Sequence, residues 1–214
     1  MNIKIPAVSK SFYSDSAASQ NLKKIETVIR PKYGKIIDRI SEITGVPVPI
    51  IESFIFIESA GNEKAQTPYA TGLMQVSKAA ASDAIVFEKT SGRLSPEEIQ
   101  LLKKHLGASR WAKIEKAKGS IGTYISANEL FNPEFNILVG TIILGQLINE
   151  FTENGKPRLD KVVVIYNRGK YDKVSKKVAK FQGNTNELLA VVPQGAKDYI
   201  LKLIGENGTL DLIV

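Results

Sequence analysis

Glu58 is the residue whose setting invites chemistry. Ile51, Phe54 and Ile55 recur at helical spacing, and the same stripe continues to Glu58, where an apolar side chain is expected. A carboxyl group placed there is desolvated, and the stop signalled by Gly61 and Asn62 sets it against the negative pole of the helix dipole. Both effects favour the protonated form. An acid that holds its proton near neutral pH suits glycosidic cleavage, because the departing oxygen leaves poorly until it is protonated. The alternative is a structural glutamate bonded to a buried donor, or one standing at a frayed helix end. Other chemistries are closed by composition. With no cysteine and one histidine, His105, the chain offers no thiol nucleophile, no cysteine zinc site and no multi-histidine cage, so neither metal nor cofactor is expected. A serine triad would have to use His105, which reads more simply as a cation at a helix C-terminus.

Glu58 also keeps specific company. Glu58-Ser59 is followed in order by Thr67-Pro68, Gly72-Leu73-Met74-Gln75, Asn132-Pro133 with Asn136-Ile137 and Gly140, and Tyr166-Asn167-Arg168-Gly169. This order resembles the soluble lytic transglycosylase family, relatives of goose-type lysozymes, whose pattern runs E-S, S-P, G-L-M-Q, N-P-x-x-N-I-x-x-G and A-Y-N-A-G. The resemblance covers about residues 33 to 205. It implies a lysozyme-like, predominantly α fold within an α+β superfamily, and Glu58 as general acid and base. It further implies substrate contacts from Ser59, from Thr67 in place of a serine near the carboxylate, from Met74 and Gln75 in the loop lining the cleft, and from Tyr166 and Asn167. A packed core methionine, a loop-bracing glutamine and a core tyrosine are the alternative readings of Met74, Gln75 and Tyr166.

The departures sharpen the expected mechanism. Ser77 stands where goose-type lysozymes carry an aspartate, and Glu52, Glu63 and Asp83 fall on no family position for a second carboxylate. A retaining or inverting glycosidase needs that second group. By resemblance, then, one glutamate cuts the bond between N-acetylmuramic acid and N-acetylglucosamine in peptidoglycan and leaves 1,6-anhydro ends. A goose-type-like muramidase and a catalytically inactive peptidoglycan-binding protein of a phage tail are the competing readings. Tyr69-Ala70 replaces the family's Gly-Ala, Val163 and Val164 replace alanines, and the segment from Val192 to Tyr199 lacks the family's glutamate. The long stretch between Gln75 and Asn132 reads as an insertion at about 87–130, with Trp111 and Tyr124.

The elements that must carry these residues are helices. Ile36, Ile37, Ile40 and Ile43 form one, stopped by Gly45, and Pro47 and Pro49 open the helix of Glu58. Ser95-Pro96-Glu97-Glu98 is a capping box whose helix runs to Gly107, and Asn132-Pro133 opens a long, nearly all-apolar helix to about Phe151. Val162 to Ile165 are four successive β-branched residues that favour a strand locally, and periodicity does not decide between strand and helix. Residues 1–30 read as a loosely structured N-terminal arm, and 31–214 as a single domain around the long buried helix.

A chain of 214 residues with 43% hydrophobic side chains can bury one substantial core. Its net charge of +7 draws it to polyanions. The lysine-rich helix from about Lys170 to Phe181 reads as a solvated basic face, and no recognition motif points to nucleic acid. The expected partners are peptidoglycan glycan strands, with other virion or tail proteins beside them. Neither a signal peptide nor a transmembrane segment is expected, which suits a bacteriophage product that is virion-associated or released from the host cytoplasm to the wall.

Overall fold

The computed structural model describes residues 8–117 and 125–214. They are predominantly helical, as expected, and no helix among them is long and apolar enough to cross a membrane. The chain divides into two compact units, Met1–Val28 with Leu147–Val214 and Ile29–Gln146, where the sequence reading has one domain after residue 30.

Ser14 caps α1 (Asp15–Lys24) by accepting from the Ala17 amide, and a π-helical turn, Ile25–Ile29, leads into α2 (Arg30–Thr44). Most of the expected loose arm is therefore helical, with Ala18, Ile25 and Ile29 buried. Its apolar positions are too sparse among Ser and Lys to register as a stripe, so packing rather than local pattern orders it.

In the unit Ile29–Gln146, Gly45 ends α2 in the left-handed region, at φ 72°. α3 (Val48–Ser59) follows from Pro47 and is buried on every side from Ile50 to Phe56, so it is a core helix rather than a striped surface one. Ser77 caps α4 (Lys78–Thr90), accepting from the Ala80 amide. α5 (Pro96–Lys116) starts with the expected capping box of Ser95 and Glu98. Gly107, at φ 74°, breaks it where the sequence reading ends it, but a second helical segment continues to Lys116. Leu101, Leu102, Leu106, Trp111 and Ile114 of α5 are buried, so the segment read as an insertion supplies core, and Tyr124 lies outside the described residues. After the short α6 (Ala127–Leu130), Asn132 accepts from the Phe135 amide and Pro133 fills the first turn of α7 (Pro133–Glu150). Phe135 to Ile142 of that helix are buried, as its composition requires.

In the other unit, β1 (Thr152–Glu153) pairs antiparallel with β2 (Lys156–Pro157) through Asn154 and Gly155, both at positive φ, the turn chemistry of a tight hairpin. α8 (Leu159–Arg168) packs against α9 (Lys173–Ala179) and α11 (Gln194–Ile204), with α10 (Thr185–Val191) between them in sequence and α12 (Thr209–Ile213) at the end. Val162 to Ile165 are helical and buried: packing of α8 on two neighbours overrides the local preference of β-branched residues.

Candidate active site

Glu58 lies in the last turn of α3, where the buried helix emerges. Ala60, at φ 51°, and Gly61, at φ 81°, turn the chain out of the helix in the left-handed region. Glu58 is half-buried as a residue, and its Oε1 is shielded from solvent. Ser59 Oγ donates to the Ile55 carbonyl (3.1 Å) and accepts from the Gly61 amide (3.2 Å), so it closes the helix end beside Glu58.

The loop that follows is tightly held. Thr67 Oγ1 accepts from the amides of Tyr69 (3.2 Å) and Ala70 (3.0 Å), which fixes the turn around Pro68 and commits the hydroxyl to its own backbone. Thr71 bridges to Gln66 on one side and Val76 on the other. Gln75 sits at φ 44°, and its Nε2 donates to the carbonyls of Ala65 (3.0 Å) and Gly72 (2.9 Å). Gln75 therefore braces the loop.

The Gly72–Gln75 segment and the start of α7 form one clamp. Asn136, fully buried, accepts from the Met74 amide (2.8 Å) and donates to the carbonyls of Thr71 and Leu130 (2.8 Å each). A Cβ at Gly72 would come within 2.3 Å of the Leu130 carbonyl oxygen and 2.4 Å of Asn136 Nδ2. One at Gly140 would lie 2.6 Å from Met74 Sδ, so the fully buried Met74 fills the space its absence leaves. Two motifs 62 residues apart thus meet through one amide and two glycines. The sequence shows Asn136 and Gly140 as motif residues, yet their role as a bracket depends on a long-range contact that spacing does not reveal.

Two of the acids considered for a second carboxylate, Glu52 and Glu63, are committed elsewhere. Glu52, 2% exposed, takes two bonds from Arg30, at 2.8 and 2.9 Å. Glu63 accepts from the Tyr33 hydroxyl (2.8 Å) and pairs with Lys32 (2.9 Å), and these two partners hold its carboxyl below the usual range. Neither is free to activate a water. His105 does not act alone as a dipole partner: it meets Glu134 Oε2 (2.9 Å), a carboxylate that also binds Lys104 and Arg39 and so ties α5 and α2 to α7. Burial, more than any charge, pushes the imidazole below its ordinary value. Among the described residues no group of acids and histidine could hold a metal ion.

Tyr166 and Asn167 belong to the other unit, in the last turn of α8 before Gly169 at φ 80°. Tyr166 is half-buried and Asn167 exposed. No protein-family model matches the chain, and no curated protein matches it.

Proposed function

We propose that the chain is a peptidoglycan-cleaving lytic transglycosylase with a lysozyme-like fold, acting through Glu58. The observation that carries the reading is the setting of Glu58: a carboxyl group with one oxygen withdrawn from water, in the last turn of a helix buried on all sides, next to a loop braced by hydrogen bonds at every corner. Shielding and the dipole both favour the protonated acid. Commitment of Glu52 to Arg30 and of Glu63 to Lys32 and Tyr33 supports a mechanism with one carboxyl group.

In that mechanism Glu58 gives its proton to the glycosidic oxygen, and the bond from that oxygen to C1 of N-acetylmuramic acid breaks. The acetamido oxygen of the same sugar closes on C1. The 6-hydroxyl oxygen then attacks C1 and displaces the acetamido oxygen, while ionised Glu58 takes the 6-hydroxyl proton. N-Acetylglucosamine leaves with a free 4-hydroxyl, and no water is consumed. Ser59, Thr67, Met74 and Gln75 set the shape of the cleft wall in this reading, and Tyr166 and Asn167 enter on the sequence resemblance. Glycan strands are the partner, with virion or tail proteins beside them, in a phage product that acts at the wall.

Replacing Glu58 with the isosteric Gln removes the proton and leaves the volume. Release of soluble fragments from purified wall should fall at least about a hundredfold, with thermal stability unchanged. An unchanged rate takes Glu58 out of the mechanism. Wall binding without any cleavage by the wild type favours an inactive wall-binding protein.

A further inference from the structure

A cavity of about 410 Å³ opens beside α8 and α9, in the unit that ends the chain, within the size range of small-molecule sites. Its wall is apolar where Phe151 and Ile165 line it, both buried. Tyr171 stands at its edge, 83% exposed, a large aromatic side chain with nothing over it. Three lysines surround it. Lys170 is neutralised by Glu150, with which it forms an ion pair, but Lys176 and Lys180 are exposed and meet no acidic side chain among the described residues. Ser175 also lines the cavity. It is 1% exposed, and its hydroxyl makes no hydrogen bond to any described group. A buried hydroxyl left unbonded costs stability, and most native hydroxyls in such places have a partner.

Two uncompensated ammonium groups, an apolar wall, an uncovered aromatic ring and an unused hydroxyl are complementary to one chemistry. We infer that this cavity binds the C-terminal carboxylate of a short peptide with small apolar side chains, Lys176 and Lys180 pairing with the carboxylate and Ser175 donating to it. A phosphate, doubly charged and without an apolar body, uses only half of these features. Carboxylate binding does not depend on glycosidic cleavage. Only the choice of source rests on the proposed function: the D-alanyl terminus of wall peptides if that reading holds, or the L-terminus of another protein.

The test is titration of the whole protein with N-acetyl-D-alanyl-D-alanine, its C-terminal amide and the L,L-dipeptide, followed at the Tyr171 and Ser175 backbone amide signals in NMR spectra. The free acid should shift both signals, and the amide should bind at least about tenfold more weakly. Lys176→Gln and Lys180→Gln, both surface changes, should each weaken the acid several-fold. Ser175→Ala should weaken it while leaving the unliganded protein at least as heat-stable, a combination that simple loss of packing does not produce. Preference for the D,D acid assigns the site to wall peptides, and preference for the L,L acid assigns it to a protein terminus. Failure of both acids to shift these signals, or equal binding of acid and amide, overturns the inference whether or not the protein cleaves wall.

Discussion

Asn136 shows how much of a loop can rest on one side chain. Its amide makes three hydrogen bonds, to Met74, Thr71 and Leu130, in a place no water reaches. Asn136→Ala should cost about 2–4 kcal/mol in denaturant unfolding, because three buried backbone groups lose their partner together. A cost below about 0.5 kcal/mol would mean that the loop finds other bonds. Glu58 was legible in the sequence because an acid interrupts an apolar pattern. Glu52 breaks the same helix more deeply, yet nothing local tells that Arg30 waits on another helix to pair with it. The role of Thr67 was equally hidden, since a hydroxyl that faces substrate and one that closes its own turn are spelled alike.

Helices carried most of the readable signal, and their boundaries were clearest where a cap fixes them. Gly45, the Ser95 capping box and Asn132-Pro133 each mark an end that local chemistry dictates. The pattern falls short where packing decides: α8, left open between strand and helix by its valines until two helices bury them, and α1, whose few apolar residues form no stripe. The meeting of α7 with the Gly72–Gln75 loop gives a sharp prediction. Gly140→Ala drives a methyl into Met74 and should destabilise by about 1–3 kcal/mol. In a Met74→Ala background the same change should cost much less, and a double-mutant cycle reads the difference. Additive costs would place the strain elsewhere.

Among the described residues, acidity acts mainly in one direction. Glu63, held low by Lys32 and Tyr33, and Glu153, held low by Lys161 and Arg158, lie below the ordinary 4.5 when folded. Their contribution is full above that value and is lost as pH falls through the folded one. For Glu134 burial works the other way, but Lys104 and His105 prevail and its value is also lowered. His105, lowered by burial from 6.5, adds stability at neutral pH that fades as the solution falls below that value. Glu98 opposes them: burial raises it, so its contribution is present in acid and lost as pH rises. The melting temperature should therefore climb between about pH 3 and pH 7, and Glu98→Gln should steepen the climb while keeping the capping box. A flat profile would show these groups to be equally placed in the unfolded chain. The division into two units was not legible, because Met1–Val28 joins residues from Leu147 onward, and no local pattern announces so distant a pairing.

Mass spectrometry of purified peptidoglycan incubated with the wild-type protein tests the proposed mechanism most directly. The proposed single-carboxyl mechanism predicts muropeptides that end in 1,6-anhydro-N-acetylmuramic acid, one water lighter than their reducing counterparts. Reducing ends in their place would contradict it, because water and not the 6-hydroxyl must then have attacked C1.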